Sequence, residues 1–191
     1  GEDFQMFERD FPGKNTTGFG TVYDDVSTKM PLEVCETING YWGFKYKANK
    51  HKSAKSIIKD LIISAGYGSN FLLNVGPMPN GQIQYEHVVT LEEVGGWLRL
   101  NGDAIYGTEP GPFTPSDSMV STMKKNKIFI HFIGPNSKIF EIPNKNLNIE
   151  SVILLKSKKS INFNTNSNRI EFSIPKGEID DIATIIQINL F

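Results

Sequence analysis

Carboxylates set among aromatic rings, and aromatic rings set between glycines, are the side chains of this sequence best suited to chemistry. Glu8 and Arg9 have Phe4, Phe7 and Phe11 as near neighbours in the chain. A carboxyl group in such apolar company keeps its proton to higher pH, as a general acid must; the other reading is a surface acid paired with Arg9. Glu33 and Glu36 lie in LEVCETIN, Leu32 to Asn39, which reads as a short strand. Three residues apart, they point to opposite faces and cannot serve one substrate as a pair. Trp42, within the cluster Gly40-Tyr41-Trp42-Gly43-Phe44, is either a core ring or a platform for the apolar C–H face of a sugar. Asn74 sits inside an apolar run, so it is a satisfied core amide or a site residue. His51 has no second His, Cys or carboxylate at ligand spacing and reads as solvent-exposed, with no metal. Cys35, the single cysteine, excludes an internal disulfide and reads as a buried thiol, which leaves the redox compartment open.

These residues need elements to hold them, and Ser53 to Pro77 supplies the clearest. Ser53 can cap a helix whose Ile57, Ile58, Leu61, Ile62 and Ala65 share one face. Gly66 and Gly68 break it, and Phe71 to Val75 reads as a fully buried, parallel strand that delivers its functional groups at Asn74 to Pro77. A second helix has capping-box spacing at Thr90 to Glu93, although Val88 and Val89 suggest an earlier start. Its expected stripe is Leu91, Val94 and Leu98 with Trp97, closed by Asn101-Gly102. The three prolines of Glu109 to Pro115 mark a change of character. Beyond them, Met119 to Met123, Lys127 to Ile133, Lys138 to Ile142, Ile149 to Leu155, Ile161 to Phe163, Arg169 to Ile174 and Ile182 to Leu190 read as short strands separated by turns. Such spacing predicts a small antiparallel sandwich.

The 191 residues, 39% of them hydrophobic, suffice for a substantial core. With 20 basic against 21 acidic residues, nothing points to nucleic acid or an anionic membrane as a partner. No apolar run approaches the ~20 residues of a membrane span. Gly1-Glu2-Asp3 opens without a basic n-region or signal-peptide core, as if something upstream were missing.

The segments DFQMFERDFPG, LEVCETINGYWGF, GYGSNFLLNVGPMPNGQI and GGWLRLNGDAIYGT together resemble the C-terminal half of the α-L-fucosidases of glycoside hydrolase family 29, over most of residues 3–113. The resemblance implies an α/β plus all-β chain: residues 1–108 as the C-terminal portion of a (β/α)8-like barrel, and 109–191 as an antiparallel β-sandwich. It implies a retaining, exo-acting enzyme that removes terminal α-L-fucose from fucosylated glycans, without metal or organic cofactor. Glu8 falls on the family's D-F-x-x-P-E-like motif, at the acid/base position, with Phe7 where proline is common. Glu33 matches the W-E-x-C element, with Leu32 replacing Trp, and is the rival for that role. Trp42 matches the S-W-G-Y/F element, the wall of the pocket for the fucose ring and its C6 methyl. The family's Asp nucleophile lies upstream of the Glu8 motif, and only seven residues precede Glu8 here. The resemblance therefore assigns the nucleophile to an N-terminal part of the same enzyme and implies that this chain alone is inactive. It also implies an extracytoplasmic location: periplasmic, secreted or lysosomal. The competing expectation is a non-catalytic carbohydrate-binding or scaffold protein. The apolar strand at Phe71 to Val75, which needs the neighbouring strands of a whole barrel, favours the enzyme.

Overall fold

The computed structural model describes residues 3–14, 16–17, 26–27, 29–46, 50–134 and 140–191. They form two compact units, Gly1–Leu98 and Arg99–Phe191.

In the first unit, β1 (Gln5–Glu8), β2 (Leu32–Thr37) and β3 (Ser69–Asn74) pair in parallel in that order. Parallel neighbours cannot be joined by a hairpin, and the β2-to-β3 crossover is made by helix α1 (Ala54–Gly66). Ser53 caps α1 as expected, its Oγ accepting from the Ser56 amide at 3.2 Å. Ala54, Ile57, Ile58, Ile62 and Ile63 form the buried side of the helix. The chain then turns into β3 through Gly68, whose φ of +72° lies in the left-handed region.

Register sorts the side chains of this sheet. Phe7 lies beside Val34, and Val34 beside Phe71. Phe7, Leu32 and Val34 are the buried centre of a cluster that Phe11, Val26 and Phe71 extend. Alternation puts Met6, Glu8, Glu33, Cys35, Leu72 and Asn74 on the other face. The expectation of a fully buried strand at Phe71 to Val75 is not met: Leu72 is 42% exposed and Phe71 only partly covered. The reason is that β3 is an edge of its sheet, and among the described residues no barrel closes.

Helix α2 spans Tyr85–Asn101, starting five residues before Thr90. Thr90 therefore does not cap; its hydroxyl donates back to the Glu86 carbonyl at 2.9 Å, within the helix. The buried stripe is His87, Val94, Trp97 and Asn101, and Leu91 lies on its exposed flank.

The second unit is antiparallel throughout. Strands β4 (Glu109–Pro110), β5 (Met119–Lys124), β6 (Lys127–Ile133), β8 (Ile149–Leu154) and β11 (Ala183–Leu190) form a sheet in the order β4-β5-β6-β11-β8. A second sheet, β7-β10-β9, is made of Phe140–Pro143, Arg169–Phe172 and Phe163–Thr165. The strand expected at Ile161 to Phe163 is thus shifted to Phe163–Thr165, and Lys138 and Ile139 lie outside the described residues. The two sheets share one apolar core. Ile128, Ile130 and Phe132 of β6 meet residues of β7, β8, β10 and β11, and Phe132 packs edge-on against Phe140 with ring centroids 5.1 Å apart. Each large side chain so buried contributes about 1.5–3 kcal/mol.

The opposite face of β6 is also covered, which leaves His131 fully buried. The Thr122 hydroxyl donates to the Ala104 carbonyl at 2.7 Å, so at the 3.1 Å contact with His131 it accepts, and the imidazole proton is on Nε2. Burial pushes the His131 pKa down from 6.5 to about 3, against the opposing pull of the Ala104 carbonyl. As pH falls below 6.5 the unfolded chain takes up this proton before the folded one does. The contribution is thus complete above about pH 6.5 and is lost towards pH 3, at ~1.4 kcal/mol per pH unit. The melting temperature should fall measurably between pH 6.5 and pH 4.5, and His131→Gln should flatten that slope. Equal slopes in the two proteins would refute the assignment.

Candidate active site

Parallel pairing brings the C-terminal ends of β1, β2 and β3 to one edge, and Glu8, Trp42 and Asn74 of the sequence-nominated residues collect there. Glu8 is the last residue of β1, half-buried and level with Cys35 of β2. Glu33 lies on the same face two rungs back, level with Met6. A strand spacing of ~4.8 Å and a rise of ~3.3 Å per residue separate the two glutamate Cα atoms by about 8 Å. Cys35 reports on both: burial first, then the charges of Glu33, Glu8 and Glu36, hold its thiol above the usual range.

Glu36 points the other way, as its spacing from Glu33 requires. Lys52 Nζ bridges Glu36 at 3.0 Å and Asp60 of α1 at 2.7 Å, which places α1 on the Glu36 face and leaves Glu8 and Glu33 on the face opposite. Burial would lower the Lys52 pKa, but Asp60 and then Glu36 outweigh it and hold the ammonium above its ordinary range. For Asp60 burial prevails over Lys52, and its carboxyl is raised.

Trp42 is 41% exposed, so it is not a core ring. Its loop is gripped from two strands. Arg9, just past β1 in a left-handed conformation (φ +56°), donates from Nη2 to the Gly40 carbonyl at 3.0 Å, and its guanidinium lies 5.3 Å from the Trp42 ring centre. From β3, Asn74 Nδ2 donates to the Trp42 carbonyl at 2.7 Å. Asn74 is therefore a satisfied amide whose partner is the aromatic loop. Gly76 comes closer still: a Cβ there would sit 2.3 Å from the Gly43 carbonyl carbon and 2.5 Å from the Phe44 nitrogen, so only glycine fits.

His51 is exposed, as expected, but its Nδ1 lies 3.1 Å from Nε2 of His87, a fully buried residue 36 positions later. Burial and the neighbouring His51 hold His87 below the usual imidazole range. Sequence reasoning missed His87, together with the positioning by Arg9 and Gly76. The Gly76-Pro77 dipeptide was the one local signal; the others depend on contacts distant in the chain. Among the described residues no group of three or more His, Cys, Asp or Glu is placed to hold a metal ion.

In chemical terms, the strand ends place a half-buried carboxyl one residue before the arginine whose guanidinium backs a half-exposed indole. That combination can stack on an apolar sugar face while passing a proton to or from an oxygen at its rim.

Comparison with known proteins agrees with the motifs. The family described as Alpha-L-fucosidase matches residues 1–103. The α-L-fucosidase of Dictyostelium discoideum is 40% identical over 80 residues, 41% of this chain and 17% of that protein. Human tissue α-L-fucosidase is 29% identical over 135 residues, 66% of this chain and 27% of its own length. Among solved structures, α-L-fucosidase isoenzyme 1 from Paenibacillus thiaminolyticus superposes with a TM-score of 0.84 at 27% identity, covering 99% of this chain and 45% of that one. Thermotoga maritima α-fucosidase bound to a mechanism-based inhibitor gives 0.78 at 26%, covering 98% and 42%. The chain thus spans less than half of the solved relatives it matches. With 103 of its 191 residues matched by the family and nearly all of it by the fold, the chain belongs to the α-L-fucosidase family.

Proposed function

We propose that this chain supplies the general acid/base and one wall of the fucose pocket to a retaining exo-α-L-fucosidase acting on fucosylated glycans. Residues 1–108 form the C-terminal portion of its (β/α)8-like barrel and residues 109–191 its β-sandwich. The observation that carries the reading is the position of Glu8 at the C-terminal end of a parallel strand, on the face away from α1, beside the held Trp42 loop. In a barrel that face is the interior, and that end is where catalytic groups lie. The exposed edge of β3 is where a further barrel strand would pair.

In the first step an Asp nucleophile, supplied by the N-terminal part of the same enzyme, attacks the anomeric carbon. Glu8 gives its proton to the departing glycosidic oxygen, and a glycosyl-enzyme ester forms. In the second step Glu8 takes a proton from water, whose oxygen displaces the ester and frees fucose with its configuration retained. Glu33, on the same face two rungs back, is the rival carboxyl for this role. Family membership alone supports an extracytoplasmic location.

In the complete enzyme, Glu8→Ala should cost about 10²–10⁴-fold on a natural disaccharide and far less on an activated aryl fucoside, with azide restoring turnover of the latter. The same pattern in Glu33→Ala, with Glu8→Ala near wild type, would exchange the two roles. Trp42→Ala should raise KM and lower kcat/KM by about 1–3 kcal/mol through the lost contact with the fucose methyl, and unchanged kinetics would remove Trp42 from the pocket. This chain purified alone should hydrolyse neither substrate; turnover by it would show that the nucleophile lies within these residues.

A further inference from the structure

Beside the Trp42 loop, past the end of β2, is a concave pocket of about 630 Å³. Its lining is rich in hydrogen-bond donors and, among the described residues, contains no carboxylate: Asn39, Tyr41, Lys45, Lys50, His51 and Lys52 carry its polar groups. Asn39 is 2% exposed. Its Oδ1 accepts from the Tyr41 amide at 3.2 Å, which fixes the amide's orientation, and its Nδ2 has no partner among the described residues. A buried amide donor left unpaired is costly, about 1–3 kcal/mol, and calls for a ligand. The ammonium of Lys45 lies 3.8 Å from the centre of the Tyr41 ring, which holds it at the pocket. Lys50 adds a second positive charge to the wall. The charge of Lys52 is already matched by Glu36 and Asp60, which line a different and smaller cavity with Arg9, Phe11 and Phe71.

A histidine pair borders the pocket. His87 is buried, and its Nδ1 has no partner among the described residues. A buried bare nitrogen costs less than a buried N–H without an acceptor, so the proton of neutral His87 is on Nε2, where it donates to His51 Nδ1 at 3.1 Å. His51, which also lines the pocket, is oriented by this bond.

We infer that this pocket is an oxyanion subsite that receives a sulfate or carboxylate substituent of the glycan, beyond the fucose held at Trp42. The unpaired Asn39 donor and the cations of Lys45 and Lys50, with no carboxylate among the described lining residues, favour a singly charged oxygen acid over a neutral hydroxyl, which needs an acceptor as well. The pocket itself stands on its lining; its assignment to a glycan rests on the fucosidase reading above.

Binding to this chain can be measured calorimetrically at constant ionic strength with galactose 6-sulfate, N-acetylneuraminic acid, inorganic sulfate and neutral galactose. The acidic sugars should bind saturably and galactose should not. Exposed Lys50→Glu, whose folding is not at risk, and the near-isosteric Asn39→Asp should each weaken the acidic sugars by about tenfold or more, the loss expected for a charge-assisted hydrogen bond. Tighter binding of an acidic sugar than of inorganic sulfate supports the glycan as the source of the anion, and equal binding supports a free oxyanion in the same site. No saturable binding of any anion, or affinities unchanged in Lys50→Glu, overturns the proposal. A chain that binds the acidic sugars while the complete enzyme leaves fucosides uncut would overturn the fucosidase reading and keep the pocket.

Discussion

Strands paired in parallel must present their C-terminal ends at the same edge, and the candidate site depends on that constraint. Backbone hydrogen bonds between β1, β2 and β3 set Glu8 level with Cys35 and Glu33 level with Met6. A slip of one residue in β1 would move Glu8 to the Phe7 face, among the side chains that pack with Phe11 and Phe71. The cost of burying a carboxylate there while exposing Phe7 guards the register. Core packing on one face thus determines the chemistry available on the other.

The same edge explains how a loop of glycines and aromatics is held still enough to act. A loop rich in glycine loses much entropy when ordered, and isolated it would not hold one shape. Here the carbonyls of Gly40 and Trp42 accept from Arg9 and Asn74, and Gly76 lets the backbone after β3 lie against Gly43 and Phe44. These contacts come from the ends of two different strands, so the indole is positioned by the sheet. The loop's continuation towards Lys50 and His51 is tied in turn to α2 through His87.

The second unit follows another physical logic. Its strands are antiparallel, and both of its sheets contribute to one apolar cluster. The central strand β6 is covered on both faces, and a histidine buried there remains neutral with one donor bond satisfied. Acid sensitivity is built into this unit through His131.

Much of this protein was legible in its sequence because the relevant forces are local. Ser53 caps α1 because a side chain three residues from an amide can reach it, and the β strands of the second unit follow from alternation and turn residues that any short window contains. The opposition of Glu33 and Glu36 needed only the two-residue period of a strand. Family motifs carried the fold and activity class as a resemblance. What the tertiary structure alone decided involves residues far apart in the chain. Glu8 and Glu33 share a face because of a pairing register that no window around either residue contains. His51 meets His87 across 36 residues, and Asn74 meets the Trp42 carbonyl across 32. Leu91 has a core residue's type but lies exposed, because the burial of His87, Val94 and Trp97 sets the rotation of α2. Periodicity shows that a helix has an apolar side and a strand two faces; which side is covered, and by what, is settled by the elements packed against it.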